Sequence, residues 1–75
     1  MKSEHDDIIG QKYTFADGDT LEVLQIKWRG DEDFFVTYHV QQGPGIPRKL
    51  VMHLKEFLAT YGYLFGKGEP PEPRQ

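Results

Sequence analysis

Hydrophobic and polar positions alternate along most of the chain, and the alternation predicts strands until the period changes near the C-terminus. Between Ile8 and Phe15, the residues Ile9, Gln11, Tyr13 and Phe15 share one parity. This stretch reads as a first strand with Tyr13 and Phe15 inward. Asp17-Gly18 marks a tight turn, since Gly accepts the positive φ of primed hairpin turns. In Thr20 to Arg29, Leu21 and Val23 share one parity while Leu24, Ile26 and Trp28 share the other. The switch predicts a β-bulge or sharp coil at Val23-Leu24, with Trp28 in the core; the alternative is that Leu21 or Val23 faces outward. Gly30-Asp31-Glu32-Asp33 is a polar hairpin loop. Phe34 to Gln41 is a third strand, its β-branched and aromatic content favouring strand over helix. Pro44-Gly45 suits the central pair of a type II turn. Arg48 to His53 is a fourth strand with Leu50 and Met52 inward.

The period then lengthens. Leu54, Phe57, Leu58 and Tyr61 fall at i, i+3, i+4 and i+7, one face of a short helix, and Gly62 is the natural residue to end it. Such a helix is too short to stand alone and must lay its stripe on the sheet. Tyr63-Leu64-Phe65 reads as a closing strand. The fold expected is mostly β: a small antiparallel barrel of four to five strands over residues 8–65, with one short C-terminal helix. Residues 1–7 read as a disordered start and residues 66–75 as a disordered Pro-rich tail.

Composition narrows the classes. The chain has 75 residues, 37% of them hydrophobic, and no cysteine. That length holds one domain, and a domain of this size hides only about 60% of the surface that its unfolded chain exposes. Large enzyme scaffolds such as a doubly wound sheet are excluded. The missing cysteines exclude a disulfide scaffold, a thiolate zinc site and a cysteine nucleophile, and they fit a reducing, cytoplasmic setting. Residues 1–7 carry acids and no apolar run, so no secretory signal is read there, and no apolar stretch is long enough to span a membrane.

Strands interrupted by a mid-strand bend and closed by a short helix resemble an SH3-like small β-barrel, a likeness carried by Gly10 to Tyr61. Within it, Gly10-Gln11-Lys12-Tyr13, then Leu21-Glu22-Val23-Leu24, then Leu50-Val51-Met52-His53-Leu54-Lys55-Glu56-Phe57 resembles short bacterial and phage-borne domains of unknown function. Leu21 stands where those domains commonly have an aromatic. The resemblance brings no activity and no functional residue. The Trp-Pro-Tyr groove of proline-binding SH3 domains is missing.

Charge supplies the sharper signal. The net charge is −3, but residues 1–38 hold nine acids against four bases and residues 39–75 three acids against five bases. The acids gather in the turns. If strands two to four form a meander, the outward set is Lys27, Arg29, Phe35, Thr37, His39, Lys49, Val51 and His53, with Arg48 at the loop edge and no acid among them. A basic sheet face with an aromatic suits an acidic protein segment, or the phosphates and bases of a single-stranded nucleic acid, or is an ordinary solvated surface. The binding residues expected are therefore Lys27, Arg29, Phe35, His39, Arg48, Lys49 and His53. Net acidity favours a protein partner over nucleic acid.

Catalytic chemistry has little to stand on. His39 and His53 are expected to be outward near neighbours, with Glu56 close by, yet zinc wants three or four protein ligands, so no metal is expected. The plainer role for His53 is as a surface residue or a helix cap. Asp17-x-Asp19 and Asp31-Glu32-Asp33 read as solvated turns, since the later ligands of a calcium loop are missing. No phosphate loop or activated nucleophile is present, and no cofactor is expected. The reading is a non-enzymatic interaction module, monomeric or weakly homodimeric, with a single-stranded nucleic-acid binder as the alternative.

Overall fold

The computed structural model describes residues 5–67. Its strands are β1 (Lys12–Thr14), β2 (Thr20–Trp28), β3 (Phe34–Gln41) and β4 (Arg48–His53), followed by helix α1 (Leu54–Tyr61). Neighbouring strands all pair antiparallel, in the order β1-β2-β3-β4. The architecture is mostly β, with one short C-terminal helix. Among the described residues the sheet does not close into a barrel: β1 and β4 are its two edges.

The coil in β2 lies where the parity of the sequence changes. Pairing with β3 runs through Val23↔Tyr38 and resumes at Gln25↔Thr37, leaving Leu24 as the extra residue of a bulge. Leu21 and Val23 before the bulge and Ile26 after it therefore reach the same side of the sheet. Leu21 and Val23 are buried and Ile26 packs against them, so neither of the first two faces outward.

Helix α1 forms where the apolar period becomes helical. Its stripe, Leu54, Phe57, Leu58 and Tyr61, packs onto that side, above Val36 and Tyr38 of β3. Phe57 is the hub: its ring centroid is 5.2 Å from Tyr38, 5.4 Å from Tyr61 and 6.3 Å from Phe65. Aromatic groups at such spacings add to the stabilisation from burial alone. Burial, and secondarily the nearby Tyr61 phenol, holds the Tyr38 phenol above its ordinary value of 10.0.

The structure corrects several expectations. The segment from Ile8 is not one strand. Asp6–Ile8 is a single 3₁₀ turn that drives Ile8 fully into the core, and only Lys12–Thr14 pairs as β1. The expected disordered start is thus ordered from the residues of this turn onward; residues 1–4 lie outside the described residues, as does the tail from residue 68. Tyr13 faces the core side but stays exposed, resting edge-on against Phe15 at 5.0 Å. Trp28 is not a core residue. It is 46% exposed at the end of β2, where its indole N–H donates to the Asp31 carbonyl at 2.7 Å.

Gly62 does not end the helix in a left-handed conformation. It stays right-handed and leads into a second 3₁₀ turn, Gly62–Phe65, where a closing strand was expected; the left-handed residue is Gly66 (φ 75°). Glycine is needed at 62 for space, because a Cβ there would stand 2.6 Å from the Lys67 carbonyl oxygen. The third hairpin turn is centred one residue early: Gly45 N–H donates to Gln42 O (2.9 Å), so Gly43-Pro44 is the central pair, with Gly43 at φ 54°. Positive φ at the first central position is the primed-turn geometry that matches strand twist. Asp19 is more than a solvated turn residue, for its carboxylate accepts from Gly43 N–H at 2.9 Å and ties the first and third hairpin turns together.

Candidate functional site

Parity and register define the face turned away from α1. Its first row, at the end of the sheet near the β2–β3 turn, is Lys27, Phe35 and His53, directly opposed across β2, β3 and β4. The next row is Gln25, Thr37 and Val51, and beyond the bulge comes Glu22, His39 and Lys49. Thr37 is only 6% exposed, although it belongs to this open face. It lies on an inner strand with larger side chains on either side, so a short side chain there is screened from water.

The first row is built as a cluster. Arg29 follows β2 by one residue and sets its guanidinium carbon 5.4 Å above the Phe35 ring. Cation–π pairs of this kind contribute about 0.5–1 kcal/mol at exposed sites. The His53 ring meets Phe35 edge-on at 5.2 Å. Both His53 nitrogens are committed. Lys55 N–H donates to Nδ1 at 3.3 Å, so the residue caps α1, and the proton on Nε2 is donated to Asp33 Oδ1. Asp33 is in turn placed by its backbone, whose carbonyl accepts from Arg29 N–H at 2.8 Å. The hairpin that turns β2 into β3 therefore carries the carboxylate that orients a histidine on β4.

The residues predicted from sequence divide into three groups. Lys27, Arg29, Phe35 and His53 come together in this cluster. His39 and Lys49 share the face but lie four residues further along β3, about 13 Å away by strand rise. His39 and His53 are consequently not neighbours. Arg48 has the opposite parity and turns to the core side. There it borders a shallow concavity of about 240 Å³ lined by Val40, Gln42, Gly45, Ile46, Arg48 and Leu50. Leu50, expected inward, stands at this rim and is 37% exposed.

Two acids belong to the face that was expected to have none. Glu22 is opposite His39, and Asp33 holds His53. The signal for Glu22 was present in the bulge itself: even-numbered positions of β2 face outward before Leu24 and odd-numbered positions after it. Among the described residues, no group of three or more His, Asp or Glu side chains is placed to hold a metal ion. No helix of the described chain is long and apolar enough to cross a membrane.

No protein-family model, curated protein or solved structure matches this chain. The resemblance to short bacterial and phage-borne domains therefore adds nothing to the site, whose reading rests on its own geometry.

Proposed function

We propose that this chain is a non-enzymatic interaction module that binds a protein partner through the face of β2–β4 turned away from the helix. The observation that carries the proposal is the Arg29–Phe35–His53 cluster, with Lys27 in the same row. It offers a partner a positively charged aromatic shelf held on adjacent strands, so little side-chain freedom is lost on binding. Aromatic and arginine anchors of this type carry most of the energy at protein interfaces. The complementary surface is an acidic segment with an apolar residue to lie on Phe35.

The Asp33–His53 pair supports a positioning role over catalysis. A general base needs a nitrogen that can accept a proton from substrate, and here both ring nitrogens are engaged within the fold. Glu22, in the far row of the face, weighs against an extended polyanion running along it more than against a short acidic segment seated at the Phe35 row, which makes single-stranded nucleic acid the second reading. The finer architecture belongs to this proposal too. A bulged antiparallel meander followed by a short helix supports an SH3-like reading of the chain, and a core made without cysteine fits a cytoplasmic setting.

The test compares the unaltered chain with Phe35→Ala as affinity bait, alongside chemical-shift mapping with a short oligothymidylate at low and high salt. The expected result is a captured protein lost with Phe35→Ala, and no salt-sensitive shifts on Lys27, Phe35 or His53. Salt-sensitive shifts on that face move the assignment to nucleic acid. Capture indifferent to Phe35→Ala ends the proposal for this face.

A further inference from the structure

The sheet has two edges, and they are not equally protected. β1 pairs over only three residues, and short edge strands are one of the devices by which proteins avoid edge-to-edge association. β4 is twice as long, with no proline and no bulge. It presents apolar side chains on both sides of the sheet: Val51, 64% exposed, on the outward face, and Leu50 at the rim of the concavity. No described strand pairs with its far side. Its one device against pairing on the outward face is the charge of Lys49, which makes no ion pair among the described residues.

We propose that β4 is the interface for a second copy of this chain, pairing antiparallel with its own twin about a two-fold axis at Val51. An isologous antiparallel pair keeps each face of the sheet continuous only if opposed residues share parity. Centred on Val51, the register sets Val51 against Val51 of the other copy on the outward face, and Leu50 against Met52 on the helix side. It sets Lys49 against His53, the residue that holds the Asp33 carboxylate. The lysine that guards an isolated edge thus meets an acid twice across the axis, and the guard becomes a specificity element. Pairing centred on Leu50 instead would oppose Lys49 to Val51 and leave both charges unmet. The dimer is one continuous sheet that carries the Arg29–Phe35–His53 clusters of both copies on the same surface.

The chain lacks cysteine, which makes a cross-linking test direct. In the proposed register the two residues at position 51 have Cα atoms about 4.5–5.5 Å apart, inside the range that a disulfide spans. Under mild oxidation Val51→Cys is expected to become mostly covalent dimer, whereas Leu50→Cys and a β1-edge control, Lys12→Cys, remain mostly monomeric. Sedimentation of the unaltered chain over a roughly hundredfold concentration range is expected to show reversible monomer–dimer exchange. Lys49→Glu is expected to lower the association constant roughly tenfold, and Lys49→Arg to retain it. The proposal is overturned by cross-linking at 51 no greater than at 12, by preferential cross-linking at 50, by a monomer at every concentration, or by Lys49→Glu associating as well as the unaltered chain.

Discussion

On the helix side of β3, Val36 and Tyr38 lie buried beneath Phe57, Tyr61 and Ile8; on the other side of the same strand, Phe35 stands between Arg29 and His53 at the surface. Both sides are aromatic, but one excludes water with apolar neighbours while the other surrounds its ring with a cation, an imidazole and, through that imidazole, a carboxylate. The difference separates stability from recognition within one strand. Side chains that face Phe57 hold the sheet together, and those that face Arg29 are held by it and left available.

The widest separation is expected between two phenylalanines. Phe57 is fully buried at the centre of the aromatic cluster, so Phe57→Ala removes its burial and leaves a cavity, at a cost of about 3–5 kcal/mol. In a domain this small that is enough to leave much of the chain unfolded. Phe35→Ala removes a half-buried ring with one side on solvent, whose loss leaves no enclosed cavity, and should cost about 1 kcal/mol. Urea titrations of both variants decide the matter: equal losses would mean that the outward cluster is a second core.

The helix side is also tight at the backbone. A Cβ at Gly62 meets the Lys67 carbonyl oxygen at 2.6 Å, and because that neighbour is backbone it cannot swing aside as a side-chain end could, while the Leu58 side chain stands 3.4 Å away. Gly62→Ala is expected to destabilise by about 1–3 kcal/mol, read from the thermal midpoint, even though alanine is the better helix former. No gain in helix stability should offset the clash; an increase in the midpoint would show that the Gly62–Phe65 turn adjusts freely.

His53 and His39 sharpen the contrast within the outward face. His53→Ala removes the α1 cap and the Asp33 contact together, at about 1 kcal/mol. His39 makes neither contact, so His39→Ala should stay within about 0.5 kcal/mol. Paired chemical denaturation of the two variants gives the comparison, and a His39 loss matching that of His53 would show that the face is not organised around the Phe35 row.

Much of this division was legible in the sequence, and what was missed shares physical causes. The β2 bulge was readable because Leu21 and Val23 fall out of step with Ile26, and the α1 stripe because Leu54, Phe57, Leu58 and Tyr61 keep a helical period. The pattern runs Ile8 into a strand because a one-turn 3₁₀ helix has no period to detect, though it contributes a core residue. Trp28 has the parity of a core position, but it ends β2 beside the polar turn, where its indole N–H is drawn to the Asp31 carbonyl and the ring stays exposed. Within the site, Phe35 and His53 followed from alternation. Asp33 did not, because its role depends on which β4 residue the hairpin brings opposite Phe35, and register across a long loop leaves no mark in local pattern.

The smallest effect tests whether the helix side depends on charge at all. Asp7, in the turn that delivers Ile8, forms an ion pair with Lys67 at 2.8 Å, joining the two ends of the described chain. The hydrogen bond from the Lys67 ammonium is the chief reason why the Asp7 carboxyl lies below its ordinary value of 3.8. A carboxyl whose value is depressed by folding adds stability above its unfolded value, and that stability is lost as pH falls through the folded value. Asp7→Asn should therefore be slightly less stable than the unaltered chain at neutral pH, with the gap closing once acid protonates Asp7. The pair is solvated, so the gap should be small and should shrink with added salt. Urea midpoints of the two proteins, followed from neutral to strongly acidic pH, isolate it from the carboxylates that both share. A gap that persists unchanged in acid would assign the role of Asp7 to the shape of the first turn, and would leave the helix side held by apolar packing alone.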